Sequence, residues 1–458
     1  MYGRTVGVLL LARQLGYRLF AQQLDIRLFA QQLGVRLPAQ LLGVLLCAQL
    51  LGACGQTLPE AAAATGDLEY RLDYRVSLRN DDPTAAVELV LRQPGHLLRE
   101  VRFDIDPNRF SKLAADGALS IERNVVRWLP PIEGGALRWD VLVPRLRGDA
   151  TYDAWIGTRW GLFRAEDLVP RAATRTLKGA YSKTTLRFEL PPGWSVVTPY
   201  RELDGHFPVV NDNRRYDEPA GWIVVGELGV RRDTIAGARI VIAAPRGSKA
   251  RRMDMLAMLN WTLPELARLV PRMPERLTVV SAGEPMWRGG LSGPTSLYVH
   301  ADRPLISENG TSTLLHEIVH TVMPMKAGKG YDWIVEGLAE YYSIELLRRS
   351  GTLSKRRREI AVAAQREWGR QSSLLCGTES AGSTTARAVT VFVELDREIR
   401  RVSAGAAKLD DVVSRLLESQ SRVDLDVLAD AAAAVMGKKP ETLNIDRLPG
   451  CRNITPNP

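Results

Sequence analysis

From Tyr70 the chain alternates. In "YRLDYRVSL", Tyr70, Leu72, Tyr74, Val76 and Leu78 fall on one side and Arg71, Asp73, Arg75 and Ser77 on the other. This is the period of a half-buried strand, and "RNDDPT" supplies the turn after it. The runs "AVELVLR", "REVRFDID", "LRWDVLV", "TLRFELPPGW", "GWIVVGEL" and "ARIVIAAP" repeat the pattern with turn residues between them. Many short strands without helical periodicity predict a β-sandwich over 66–245. At Ser248 the period becomes helical in "KARRMDMLAMLNWTLPELARLV", where Pro264 is expected to bend or end the segment. "RLTVVSAG" and "TSLYVH" then read as strands, and the second is expected to offer an edge for an extended peptide. "ENGTSTLLHEIVHTVM" reads as a helix capped by Thr311 or Ser312, and "DWIVEGLAEYYSIELLRRSG" as a second helix ending at Gly351. The fold class is thus α+β and multidomain: a β-sandwich, a mixed α and β domain over 246–352 and a helical domain over 353–458.

The first 53 residues follow another pattern. Residues 9–53 repeat every nine residues, as in "RLFAQQLDI" and "RLFAQQLGV", a period that fits no familiar solenoid. Arg36 precedes a largely apolar run, "LPAQLLGVLLCAQLLGA", and then "CGQTLPEAAAATG". A basic residue, a short apolar stretch, small residues and a polar linker describe a secretory signal over about 35–53, with 54–65 as linker. "LGAC" resembles the lipobox of bacterial lipoproteins. That resemblance implies lipidation of Cys54 and a chain anchored in the cell envelope, at the outer membrane facing the periplasm. The upstream repeats are expected to reflect a start codon assigned too early, with Val35 as the alternative start.

Composition narrows the partners. The 458 residues are 45% hydrophobic and 25% charged, with a formal charge of +9, ordinary for a globular protein. The densest basic run, Lys355 to Arg358, has no interleaved aromatics and reads as a solvated face, so no nucleic-acid partner is expected. Four cysteines, Cys47, Cys54, Cys376 and Cys451, form no CxxC pair. If Cys47 leaves with the signal and Cys54 is acylated, Cys376 and Cys451 remain in an oxidising compartment and are expected to be bonded. Of five histidines, His96 in "PGHLL" and His206 in "DGHFP" read as loop or edge residues.

The chemistry concentrates in "TLLHEIVHTVMP". Positions i and i+4 of a helix share a face, so His316 and His320 can present imidazoles to one zinc ion. Glu317 sits beside them, placed to take a proton from water. A catalytic zinc takes three protein ligands, and Glu336 and Glu340 on the next helix again share a face. One can bind the ion while the other orients a ligand histidine. Spacing alone leaves open which does which.

"HEIVH" followed by "WIVEGLAEYY" resembles the gluzincin metallopeptidases, in which the glutamate of a W-x-x-E-G-x-x-x-Y motif is the third ligand. The resemblance implies a thermolysin-like catalytic domain, one zinc per chain, Glu336 as ligand and Glu340 behind the histidines. It implies peptide or protein substrates, hydrolysed by a zinc-bound water with Glu317 as general base. The wider likeness, over most of 66–440, is to the glycyl-aminopeptidase family. It rests on "GGLSGPTS" before the zinc helix and on "FVELDREIR" and "LDDVVSRLL" after it. The family's C-terminal PDZ domain is not expected here. Two substitutions depart from the pattern. Ser292 and Gly293 stand where that family has an amine-recognising glutamate and a histidine. Thr385 and Arg387 stand where it has an oxyanion-stabilising tyrosine and a lysine. Arg387, Tyr298, Tyr331 and His300 are the candidates for the missing oxyanion donor, and Glu308 for the missing acid. Without the glutamate, the enzyme is not expected to be a strict aminopeptidase. The alternative is a catalytically impaired lipoprotein that binds peptides or envelope partners.

Overall fold

The alternating segments pair into three sheets. The computed structural model describes residues 68–454, apart from 212–214, 378 and 420; the signal region, the linker and Cys54 lie outside the described residues. In chain order the strands are β1 (Glu69–Ser77), β2 (Thr84–Arg92), β3 (Leu98–Asp104), β4 (Phe110–Ala115), β5 (Ala118–Glu122), β6 (Val125–Leu129), β7 (Gly134–Leu142) and β8 (Arg145–Gly148). Next come β9 (Thr151–Ile156), β10 (Trp160–Arg164), the single-turn helix α1 (Ala165–Leu168), β11 (Ala172–Thr176), β12 (Tyr181–Glu189), β13 (Ser195–Val197), β14 (Phe207–Val209) and β15 (Trp222–Gly226). The sheets run β14-β12-β1-β2-β7-β4, β11-β3-β6-β5 and β13-β15-β10-β9-β8. The alternation of β1 is realised: Tyr70, Leu72, Tyr74 and Val76 are all buried in a core shared with Phe103, Trp128 and Trp139. The third sheet makes this a layered β region, not a two-sheet sandwich.

A further five-stranded sheet, β16-β17-β18-β20-β19, carries the site. Its strands are β16 (Leu228–Ile235), β17 (Ala238–Pro245), β18 (Arg276–Ala282), β19 (Gly290–Gly293) and β20 (Ser296–His300). This corrects the boundary expected at 245/246, because β16 and β17 belong to the sheet of the site. An apolar run such as "ARIVIAAP" marks a strand covered on both faces but does not reveal its partner. Here the partner is β18, parallel to β17 and reached through the helix between them. Alternation splits the sheet cleanly. Ile240, Ile242, Leu277, Val279, Leu297 and Val299 face the helices, while Val241, Ala243, Val280, Ala282 and Tyr298 face Leu162, Trp222 and Val224 of the β region. "TSLYVH" is therefore an interior strand. The edge is β19, antiparallel to β20.

The helices are α2 (Arg252–Ala267), α3 (Thr313–Val322), α4 (Asp332–Arg349), α5 (Lys355–Gly369), α6 (Ser383–Val402), α7 (Leu409–Ser419) and α8 (Leu425–Met436). Two strand pairs of residues, β21 (Lys326–Ala327) and β22 (Arg422–Val423), join the loop after α3 to the start of α8. α2 continues through Pro264. The basic run opens α5: Ser354 caps it, accepting from Arg357 N at 3.2 Å, and Arg358 pairs with buried Glu345 at 2.6 Å. Helices on both sides of residue 353 share one apolar core, in which Trp333 and Phe392 lie with ring centroids 5.7 Å apart. The expected separate C-terminal domain is therefore part of the same body, and Asp67–Pro458 forms one compact unit. The pairing is steric. At Gly337 a Cβ would come within 2.5 Å of Ala388 Cβ, so only glycine lets α4 and α6 approach this closely. Cys376 and Cys451 are joined by a disulfide that ties the C-terminal segment to the loop before α6. No helix among the described residues is long and apolar enough to cross a membrane.

Candidate metal centre

α3 starts at Ser312, whose side chain accepts from Leu315 N at 3.3 Å. One turn later it presents His316 and, after another, His320. Their Nε2 atoms lie 3.0 Å apart. α4 crosses opposite and brings the two oxygens of Glu336 to 3.3 Å from one Nε2 each. A tetrahedral zinc ion with ligands at about 2.0–2.1 Å requires neighbouring ligand atoms about 3.3 Å apart. The three side chains fit that requirement, and all their ligand atoms lie within 4.8 Å of one another. The donor set fits as well, since two imidazoles and a carboxylate are a common catalytic zinc set. Glu340 is set behind them. Its Oε2 lies 3.0 Å from His316 Nδ1, a contact that with an ion bound would hold the ring proton on Nδ1 and turn Nε2 to the metal. Burial works against the charged form of Glu336, but hydrogen bonds from both histidines hold its carboxyl well below the usual range.

Glu317 lies under the edge strand, against Gly290. It is 8% exposed. Burial pushes its carboxyl up, opposed by the neighbouring histidines and by the Ser292 backbone N–H, which donates to it. At Gly290 a Cβ would meet Glu317 Cγ and Thr313 Cγ2 at 2.7 Å, so the glycine in "GGLSG" is what allows β19 to lie on α3. Gly289 is equally constrained, its Cβ position falling 1.9 Å from the Trp287 ring.

Together these residues floor a cleft of about 540 Å³. Ser292 and Thr385 line it, and the Thr385 hydroxyl lies 3.1 Å from that of Ser380. Gly293 does not face it, since its Cβ position points to Trp222. Three oxyanion candidates fall elsewhere. Tyr298 is fully buried and donates to Trp287 O at 2.8 Å, because alternation on β20 turns it to the β-region face. His300 is buried on that same face, and its Nδ1 accepts from Asp302 N at 3.2 Å. Arg387 lies two residues past Thr385 on α6, so the helix turns it toward the end of α5, and it donates to Ser372 O in the loop that follows. Tyr331 packs beside the helical core, and Glu308 is exposed outside the cleft.

Other lining residues carry no signal in the sequence. Arg147 arrives from β8, its guanidinium 3.8 Å from the centroid of the Trp287 ring. The backbone bonds Tyr152 N to Pro285 O and Trp287 N to Tyr152 O, both 3.0 Å, fix this wall to the β region. Gln365 and Trp368 enter from α5. Gln365 is 3% exposed, and its Oε1 has no hydrogen-bond partner among the described residues.

The fold is similar to that of M1 zinc metallopeptidases. Among solved structures, the chain is similar to an aminopeptidase N family protein from Idiomarina loihiensis (TM-score 0.58, 15% identity, covering 81% of this chain and 76% of that one). It is also similar to an M1 zinc metallopeptidase from Deinococcus radiodurans (TM-score 0.53, 17% identity, 85% and 95%) and to aminopeptidase A from Legionella pneumophila (TM-score 0.51, 12% identity, 81% and 48%). At these identities the likeness is one of fold. No protein-family model matches the sequence, and no curated protein matches it.

Proposed function

We propose that the chain is a zinc-dependent peptidase of the bacterial cell envelope, anchored by lipid at Cys54. The observation that carries the catalytic part is the convergence of His316, His320 and Glu336 at zinc-ligand spacing, with Glu317 buried alongside beneath an open strand edge. A bound zinc ion supplies Lewis acidity, polarising a carbonyl and acidifying water. Glu340 orients His316, and β19 lays out an extended peptide by backbone pairing. Glu317 accepts the proton of the attacking water and returns it to the leaving nitrogen. The narrower kinship to the glycyl-aminopeptidase family rests on "GGLSGPTS" and the helical segments after the site.

Purified protein should hold one zinc per chain. Glu317→Gln should retain it and lose hydrolysis of a mixed peptide library by about 100-fold or more. Elemental analysis finding no metal after growth in zinc-replete medium would refute the reading. Wild-type protein that holds zinc but cleaves nothing, with or without a chelator, supports the second reading, a peptide-binding lipoprotein. Thr385 in place of an oxyanion tyrosine favours that reading.

Specificity follows from charge. Among the residues lining the cleft, the only carboxylates are Glu317, Glu336 and Glu340, all engaged at the centre. None is left to pair with a free α-amine, so the enzyme should cleave N-acetylated or internal sites as well. Matched peptides with free and acetylated termini decide it. Release of single residues from free termini alone would show the Ser292 argument to be wrong. Cys54→Ser should abolish lipid labelling and release the protein from membranes.

A further inference from the structure

The cleft carries two arginines, and one of them has no counter-charge among the described residues. Arg303 follows β20 in a turn, its backbone N–H bonded to His300 O at 3.0 Å. Its Nε donates to Arg288 O at 2.8 Å, which pins the guanidinium over the residues leading into β19. Among the described residues this is its only side-chain hydrogen bond, and no carboxylate lies in ion-pair range. The contrast with its neighbours is sharp. Arg288 pairs with Glu284 at 2.6 Å, and Arg147 with Asp153 at 2.9 Å. Arg147, in the same cleft wall, keeps its guanidinium over the Trp287 ring.

The position is informative. Arg288 precedes Gly290 by two residues, and Gly290 packs on Glu317. Arg303 is therefore anchored at the bend leading into β19, two residues before the glycine that packs on the general base. A peptide extended along β19 would bring a group one or two residues from the scissile bond beside it. A guanidinium presents a planar fork matched to a carboxylate, and a charge-assisted pair is stronger than a neutral one.

We propose that Arg303, assisted by Arg147, is a carboxylate-recognition site, and that the preferred substrates carry a carboxylate one or two residues from the cleaved bond. The proposal rests on the peptidase reading. An acidic side chain and the C-terminal carboxylate of a short peptide offer the same chemistry, and the experiment separates them. Zinc-loaded full-length protein is given three matched peptides: neutral and blocked at both ends, the same with Asp beside the cleaved bond, and the same with a free C-terminus. At least one carboxylate peptide should be preferred by tenfold or more in kcat/KM, mostly through KM, and the one preferred names the source. Arg303→Gln should shrink that preference by about tenfold or more, toward none, and Arg303→Lys by less. No preference in the wild type, or the same preference in Arg303→Gln with zinc retained, overturns the proposal. Binding of the same peptides to zinc-loaded Glu317→Gln protein gives a readout without turnover. A carboxylate preference there, with no hydrolysis by the wild type, upholds the Arg303 site and removes only the peptidase reading.

Discussion

Glu336 and Glu340 stand one turn apart on α4, and that turn separates two jobs. Each oxygen of Glu336 reaches a histidine Nε2, whereas Glu340 reaches the far side of one ring. Spacing reveals the shared face but not the depth of each side chain, so sequence leaves the choice open until a family pattern or a structure fixes it. Tyr298, His300 and Arg387 were illegible for a related reason. Their direction depends on which face of a strand or helix meets which neighbour, and nothing local encodes that. Asp410 is a residue no motif marks. It is 5% exposed and held by Arg349 at 2.9 and 3.0 Å, by Lys408 at 2.8 Å and by the Tyr342 hydroxyl at 2.9 Å. Burial alone would raise its carboxyl, but these hydrogen bonds outweigh it and hold it below the usual range. A carboxyl depressed on folding stabilises the native state above its unfolded value, about 3.9, and that contribution is lost as pH falls through the folded value. Asp410→Asn should therefore cost about 3–5 kcal/mol at pH 7. Its gap from wild type should narrow below about pH 4. Urea unfolding at pH 7 and pH 3 measures both, and a gap independent of pH would contradict the assignment.

Elements were legible where their own period declares them. The strand β1, the helices α3 and α4 and the cap at Ser312 are local events. The edge strand was not, because "GLSG" has neither alternation nor β-branched residues. Its place is set by what glycine permits at positions 289 and 290. Gly290→Ala should push β19 off α3, disturb the Ser292 bond to Glu317 and lower kcat by about tenfold or more, since misplacing a catalytic group by about 1 Å costs about 100-fold. Thermal stability should fall little, because β19 is a four-residue edge. A variant with normal kcat would show that the strand does not position the base. A large loss of melting temperature with normal kcat would make it a structural strand only.

At the scale of the molecule, one core joins the site sheet to every helix from α2 to α8. The disulfide closes a loop of 75 residues around the second half of that core. On chain entropy alone such a loop contributes about 4 kcal/mol. Non-reduced digests should show the Cys376 and Cys451 peptides linked. Mild reduction should lower the melting temperature, and an unchanged melting point with both thiols free would exclude a stabilising role.

The wall fixed by Arg147, Tyr152 and Trp287 bears on how such a protein can change over generations. One side of the cleft comes from a strand that precedes β16 by about 80 residues of sequence, and the site sheet depends on β16 and β17 to cover β18. A crossover between related genes near residue 245 would deliver a sheet with a bare edge, open to pairing with other chains, and a cleft with half its wall replaced. Exchange of surface loops leaves both intact. Variation in what the cleft accepts is therefore more readily inherited through single substitutions on β8 and in the turn after β20 than through the shuffling of halves.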